Sequence, residues 1–221
     1  CSVDFTFGGF FSIGTLSYAW AKLYRKSFLD SNKIEFGDYR YAEDKIYNYF
    51  CYIAGARYAF IDKKIYVYRR NEQSVSNTYR KDGDKDWMRI AQDLQDKIDS
   101  LNYEKKQYSQ DEIENYESIV AWTIYFAAFF DGKMEYEYST GKISAVINLL
   151  KRYASYDLTK KYLKNPLRYT KKIPALSYKI MLGGFAFLMK CNMYLLLSLG
   201  IKLLVDCHID ERLSDTGRKE D

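Results

Sequence analysis

The stretch YRYAEDKIYNYF, residues 39–50, places two adjacent carboxylates, Glu43 and Asp44, among aromatic side chains. A helix of about three turns is predicted to start near Ala42 and to end at Gly55, because bulky apolar side chains recur at helical spacing through Ile46, Tyr49, Phe50 and Ile53. Negative charge is favourable at a helix N-terminus. The pair is therefore open to two interpretations: it caps this helix, or it is the chemical centre of an enzyme.

The segments on either side of this helix differ from it in pattern. Residues 15–29 are predicted to form a helix or helix-turn, and a polar loop follows them. RYAFI, residues 57–61, and KIYVYRR, residues 64–70, are typical of a β-hairpin or of two short strands. The polar run NEQSVSN comes next and is predicted to be a loop. We therefore expect a mixed α/β piece up to about residue 80.

Helical periodicity dominates the chain beyond residue 80. The run SQDEI, residues 109–113, supplies a capped start for a helix that extends to about Phe130, and residues 141–154 are predicted to form another. Two apolar helices with basic residues follow Pro166 and Pro174. The first helix of this part is predicted from residue 84, with an apolar stripe at Trp87, Ile90, Ala91, Leu94, Ile98 and Leu101. This pattern predicts an all-α C-terminal extension.

The composition limits the chemistry that is available to the chain. Its 221 residues include 23 tyrosines, four cysteines without CxxC spacing and one histidine, His208. With one histidine, near the end of the chain, neither a histidine-based catalytic triad nor a multi-histidine metal site is expected. The cysteine spacing indicates neither a disulfide framework nor a zinc site. If the chain performs acid–base chemistry, we expect a carboxylate to carry it.

Four segments, taken in order, carry a resemblance to a known family. They are WAKLYRKSFL, YAEDKIYNYF, AFIDKKIYVYRR and NEQSVS, all within residues 18–76. Together they resemble the second half of the catalytic domain of bacterial family 2 glycosyltransferases. The resemblance implies an α/β fragment, the second half of a GT-A-like nucleotide-diphospho-sugar transferase domain, followed by the all-α extension.

The resemblance also implies an activity and a set of site residues. The expected reaction is inverting transfer of a sugar from a nucleotide-diphosphate donor to a hydroxyl of a carbohydrate or lipid-linked acceptor, in cell-surface polysaccharide synthesis. Asp44 is the expected base, and Glu43 orients it or holds the acceptor. Arg69 and Arg70 are expected to bind the diphosphate. The alternative is that they lie in solvent at the end of the predicted hairpin. The expected substrate-binding residues are Trp20, Lys22, Tyr24, Tyr41, Arg69, Arg70, Ser74 and Ser76.

The donor side of such an enzyme is not expected in this chain. Members of the family hold a divalent metal, Mg²⁺ or Mn²⁺, with an Asp-x-Asp motif upstream of the Glu-Asp pair, and that motif is absent here. Asp82-Gly83-Asp84 lies downstream instead and is predicted to be a helix-capping loop. We therefore expect the chain to be part of a longer enzyme, with doubtful activity on its own.

The net charge of +5 is unevenly distributed. Residues 158–205 contain nine basic residues and no acidic one, whereas residues 206–221 contain six acidic and three basic residues. Within the basic segment, residues 182–201 carry a single charge, Lys190. Three arrangements are open for these twenty residues. They span a bilayer, they lie in the interface of an anionic membrane, or they are buried in the protein. A nucleic-acid role is not expected, because the bases flank aliphatic runs rather than exposed aromatic residues.

These patterns predict an organisation in four parts. Residues 1–80 are the C-terminal part of the catalytic domain, 81–157 a helical extension, 158–205 basic apolar helices facing a membrane, and 206–221 an acidic tail. The expected location is cytoplasmic, peripheral on the inner face of the cell membrane. The alternative function is non-catalytic, with a truncated chain that serves as a membrane-docking or protein-interaction helical module.

Overall fold

The computed structural model describes residues 18–40, 42–61, 63, 65–67, 79–103, 108–173 and 176–207, and every regular element in that part is a helix. The longest of the described helices is the fourth, with three helices before it and five after it. In chain order the helices are α1 (Lys26–Asn32), α2 (Glu43–Ile53), α3 (Gly83–Tyr103), α4 (Gln110–Tyr138), α5 (Ile143–Ser155), α6 (Asp157–Leu163), α7 (Pro166–Thr170), α8 (Leu176–Lys190) and α9 (Tyr194–Asp206).

The expected α/β class is wrong for this part of the chain. Residues 57–61 and 65–67, where a hairpin was predicted, form no strand, and the rest of the predicted hairpin lies outside the described residues. Ile61 is 72% exposed and Val67 is 88% exposed, so this segment buries little. β-Branched and aromatic residues favour a strand only where a neighbouring strand or core covers them, and an isolated hairpin is marginally stable in water.

Several helix predictions are confirmed and one needs correction. Helix α2 begins at Glu43 and ends before Gly55, which adopts the left-handed conformation with φ +83°. Ser109 caps α4, because its side chain accepts from the Glu112 amide while the Glu112 carboxylate accepts from the Ser109 amide. The predicted helix over residues 15–29 is displaced, since residues 18–25 are irregular and Ala21 has φ +56°.

Helix α4 is the centre of the core. It packs against α3, α5, α6, α7, α8 and α9, so its middle portion is buried on all sides. The Tyr125 hydroxyl, within that portion, donates to the Tyr162 carbonyl oxygen at 2.9 Å and joins α4 to α6. Helix α2 packs on α3 at the edge of this bundle. The opposite side of α2 forms a small second core from Ile34, Tyr47 and Cys51.

The apolar segment 182–201 does not form one helix. It is divided between α8 and α9 by a turn at Cys191–Met193, where Asn192 has φ +57°. Within the described residues, none of the helices combines the length and apolar character needed to cross a membrane. Leu182, Ala186 and Ile201 are buried, so part of the segment belongs to the protein core.

Most of the basic residues predicted to face a membrane form ion pairs within the protein. Lys171 lies 3.0 Å from the Glu114 carboxylate, Lys161 lies 3.9 Å from Glu117, and Lys172 pairs with Asp111. These three acids lie on α4, in its N-terminal half. The basic segment is therefore largely balanced by an acidic face of the central helix rather than left free for another surface.

Candidate functional site

The start of α2 presents Glu43 and Asp44 without any side-chain cap. Ala42 is the N-cap residue, and its φ of +58° turns the chain sharply into the helix. Both acids lie in the first turn, with Glu43 exposed and Asp44 partly buried. Negative charge there is favoured by the helix dipole. The N-cap residue, Ala42, has no side chain that could cap the helix, so the charge at this end comes from Glu43 and Asp44.

Two of the predicted substrate-binding residues lie beside Asp44. Burial lowers the pKa of the Lys22 ammonium, while the nearby Asp44 carboxylate acts in the opposite direction. The Tyr24 hydroxyl donates to Asn48 Oδ1 at 3.0 Å, and the Asn48 amide donates to the Asp44 carbonyl oxygen at 2.7 Å. The irregular segment 18–25 is thus attached to the first turns of α2. Tyr24, Asn48 and the Asp44 backbone form one hydrogen-bonded cluster, and Lys22 lies within electrostatic range of Asp44.

Trp20 extends this cluster into a stack of three aromatic rings. Its indole lies 4.7 Å from the Tyr18 ring centroid and 4.8 Å from that of Tyr66, with interplanar angles of 22° and 16°. The Lys22 ammonium donates to the Tyr18 carbonyl oxygen, which connects the stack to Lys22. Because Tyr66 comes from the exposed segment 65–67, the stack also holds that segment near the start of α2.

The remaining predicted site residues cannot be placed in this cluster. Tyr41, Arg69, Arg70, Ser74 and Ser76 lie outside the described residues. The proposed base and its neighbours Trp20, Lys22 and Tyr24 are therefore the part of the expected site that the structure brings together. Glu43 lies at the same helix start but is exposed.

No group of three or more metal-ligating side chains occurs among the residues that the structure describes. Asp82 directly precedes α3, whereas Asp84 lies in its first turn and is buried. The Arg152 guanidinium lies 3.3 Å from Asp84 Oδ1, and the Tyr156 hydroxyl donates to Asp84 Oδ2 at 3.0 Å. These two contacts account for the buried Asp84 carboxylate without a metal ion.

Lys45 was not singled out in the sequence, although it follows Asp44 directly. Its Nζ lies 3.5 Å from the Trp122 ring centroid and within 6 Å of the Tyr49 and Phe126 centroids. Burial lowers the pKa of the Lys45 ammonium to about 7. The available signal was the spacing of Lys45, Tyr49 and Tyr52, which places the lysine on a helical face with two aromatic residues.

Comparison of the chain with protein-family models, with curated proteins and with solved structures finds no match. The function of the cluster at the start of α2 therefore has to be inferred from its own residues.

Proposed function

We propose that Asp44 is the general base of an inverting glycosyltransferase. In this reaction an acceptor hydroxyl attacks the anomeric carbon of a nucleotide-diphosphate sugar. The new carbon–oxygen bond forms as the bond to the diphosphate breaks, the nucleoside diphosphate leaves with that electron pair, and Asp44 takes the hydroxyl proton. The observation that carries the proposal is the partly buried Asp44 at a helix start, with Lys22 within electrostatic range and with Tyr24 linked to the Asp44 backbone through Asn48.

Asp44 lies in the first turn of α2, where negative charge is favourable. The Trp20 stack, which accepts a hydrogen bond from Lys22 through the Tyr18 carbonyl oxygen, supplies flat apolar surface of the kind on which a sugar ring packs.

The resemblance to family 2 glycosyltransferases implies a divalent metal on the donor side. Bound to the donor diphosphate, such a metal would neutralise the charge of the leaving group. The described residues do not supply a ligand set for it.

The proposal is tested by Asp44→Asn introduced at the native locus, so that the protein is assayed in its natural length. Membranes from the variant strain are assayed for incorporation of labelled sugar from a panel of nucleotide-diphosphate sugars. We expect transfer to fall by about 10²-fold or more, since general bases typically contribute that much. Asp30→Asn, on the exposed face of α1, is the matched control and should retain activity. Full transfer by Asp44→Asn would overturn the assignment.

We propose further that α8 and α9 hold the protein on the inner face of the cell membrane. Both helices carry exposed apolar side chains at helical spacing, namely Leu176, Ile180 and Phe187 on α8 and Leu195, Leu196, Leu199 and Leu203 on α9. No acidic residue occurs between Leu176 and Val205, whereas Lys179 and Lys190 do; Lys202 also lies there but pairs with Asp206. An apolar face with lysines beside it suits the interface of an anionic bilayer.

Flotation with phosphatidylcholine–phosphatidylglycerol vesicles tests this location. Leu199→Ser with Leu203→Ser removes apolar area from the exposed face of α9, and we expect it to reduce the bound fraction several-fold. Leu167→Ser, at an exposed leucine of α7, serves as the control. Unchanged binding by the double variant would contradict docking through α9, and binding lost equally in the control would contradict a localised surface.

A further inference from the structure

A short strap, residues 79–82, leads into α3, which begins at Gly83. The Tyr79 ring stacks on the Tyr138 ring, with a centroid distance of 3.8 Å and an interplanar angle of 6°. The Tyr79 hydroxyl also donates to Glu135 Oε2 at 2.7 Å. Glu135 and Tyr138 lie in the last turn of α4, so these two contacts attach the strap to the C-terminal end of the central helix.

Asp131 lies one turn before Glu135 on α4 and faces the first residue of α3. A Cβ added at Gly83 would lie 2.9 Å from Asp131 Oδ2 and 3.4 Å from its Oδ1. Because glycine has no Cβ, both carboxyl oxygens can lie this close to the α3 backbone. From α5, the Tyr153 hydroxyl donates to Asp131 Oδ2 at 2.5 Å. The carboxyl group is thus held between α3, α4 and α5.

The groups around Asp131 come from each element that packs against it. Burial has the largest effect on this carboxyl group and raises its pKa to about 6. The Asp84 carboxylate acts in the same direction, whereas the Tyr153 hydrogen bond and the Arg80 guanidinium favour the ionised form. Around the carboxyl group lie Arg80 on the strap, Asp84 on α3, Glu135 on α4, and Arg152, Tyr153 and Tyr156 on α5, while α9 brings the apolar Ile201 against the adjacent Gly132.

The two protonation states of Asp131 favour different arrangements of these elements. The neutral carboxyl group suits a position packed against Gly83, whereas the ionised carboxylate gains free energy from hydration. Water can reach it only if one of the surrounding elements moves away. Tyr153 on α5 is fully buried, but Lys81 and Asp82 on the strap are exposed. The strap is therefore the element that separates from α4 at the lowest cost.

We propose that residues 79–82 are a proton-controlled strap, which is closed on α4 while Asp131 is protonated and is released when Asp131 is ionised. The proton passes between the Asp131 carboxyl group and water. Release breaks the Tyr79 stack on Tyr138 and the hydrogen bond to Glu135. The strap directly follows residues 68–78 in the chain, so its release changes how that segment is tethered to the bundle. This device does not depend on the assignment of Asp44.

Amide hydrogen exchange measured by mass spectrometry tests the strap at pH 5.0 and 7.5, with rates corrected for the intrinsic pH dependence of exchange. In the released state Asp131 is hydrated and regains its ordinary pKa of 3.8, so release becomes more frequent as pH rises. We expect protection of residues 79–88 to be about tenfold lower at pH 7.5 than at pH 5.0. Residues 116–128 of α4 should be better protected at both pH values, because the strap opens locally.

Three variants identify the group that controls the strap, after far-ultraviolet circular dichroism has verified that each is folded. Asp131→Asn should remove the pH dependence of protection in residues 79–88. Asp82→Asn is the matched control, because it changes an exposed carboxylate on the strap that pairs with Lys85, and it should keep that dependence. Tyr79→Phe loses the hydrogen bond to Glu135 but retains Asp131, so it should lower protection at both pH values.

Any of four results would overturn the proposal. They are equal protection of residues 79–88 at the two pH values in the wild type, an undiminished pH dependence in Asp131→Asn, a pH dependence abolished by Asp82→Asn, and unchanged protection in Tyr79→Phe. Protection of residues 79–88 that equals that of residues 116–128 would likewise contradict it, since the strap would then open only when the whole bundle unfolds.

Discussion

The Nζ atom of Lys45 lies 3.5 Å from the ring centroid of Trp122 and joins the first turn of α2 to the central helix α4. Within the described residues, no carboxylate forms an ion pair with this ammonium. Burial lowers the Lys45 pKa to about 7, which brings its titration into the neutral pH range. Lys45, next to the proposed base, is therefore held in place by aromatic packing, and its ammonium loses hydration there.

Lys45→Met should raise the free energy of unfolding at pH 7 and make it less dependent on pH. Because the folded pKa lies below the unfolded value of 10.5, stability in the wild type rises as pH increases from about 7 towards 10.5. Between pH 7 and pH 9.5 we expect the wild type to gain about 2 kcal/mol relative to the variant, after allowance for partial exposure. Urea unfolding at both pH values measures the difference.

Lys26→Met provides the matched control for this experiment. Lys26 lies on the exposed side of α1 and pairs with Asp30 at 2.9 Å. Exposed pairs of this type contribute little, so the change should have the same small effect at both pH values. An equal pH dependence in wild type and Lys45→Met would show that the Lys45 ammonium is well solvated.

Asp131→Asn should stabilise the protein at neutral pH but not at pH 4. Asp131 accepts a 2.5 Å hydrogen bond from Tyr153, yet burial raises its pKa to about 6, above the usual 3.8. The folded state then holds a proton that the unfolded state has released, so stability falls as pH rises from about 4 to 6. We expect a gain of about 1–2 kcal/mol at pH 7 for the variant, which keeps an acceptor for Tyr153. Chemical unfolding at pH 4.5 and 7 checks this, and a larger gain at the lower pH would contradict it.

Local sequence signals were sufficient for the helices that carry a clear apolar stripe or cap. Ile90, Leu94 and Ile98 were predicted to share a face and are all buried in α3. Ser109 and Glu112 form the capping box that the SQDEI run indicated. Such signals operate within one or two turns, so the rest of the fold has little influence on them.

The failures arise where distant contacts decide the conformation. Helix α4 continues to Tyr138, beyond the predicted end near Phe130, because Gly132 and Tyr136 are buried in the bundle. The aromatic segment after α2 was predicted as a hairpin but has no partner strand in the described residues. In the candidate site, Asp44 was chosen from its motif, whereas its proximity to Lys22 depends on how residues 18–25 return to α2.

Arg152→Ala should destabilise the protein by about 1–3 kcal/mol. Asp84 has a side chain only 3% exposed, and Arg152 is its ion-pair partner at 3.3 Å. Removing the guanidinium leaves a buried carboxylate with the Tyr156 hydroxyl as its remaining donor among the contacts described above. Asp84→Asn in the Arg152→Ala background should recover part of the loss, because it removes the buried charge. A double-mutant cycle by urea unfolding measures the coupling energy between Asp84 and Arg152. Strictly additive effects would show that the two side chains are not energetically coupled.

Gly132 and Gly184 should respond in opposite ways to substitution by alanine. A Cβ at Gly132 would lie 2.9 Å from Ile201 Cδ1, so α4 and α9 pack closely at this position. A Cβ at Gly184, in α8, would meet nothing within 4 Å. Gly184→Ala should therefore stabilise the protein by about 0.5–1 kcal/mol through helix propensity alone. Gly132→Ala should lose that gain or reverse it, because Ile201 must shift.

The cause of the Gly132 effect can be tested by shortening its neighbour. Ile201→Val removes the Cδ1 methyl group that the new Cβ would meet. Alone it should cost about 0.5–1.5 kcal/mol through the cavity it leaves. Combined with Gly132→Ala it should cost less than the sum of the two changes, because the new methyl group occupies part of that space. Thermal unfolding of the two single variants and the double variant gives the coupling energy. Effects that simply add would show that α4 and α9 are not in tight contact at this crossing.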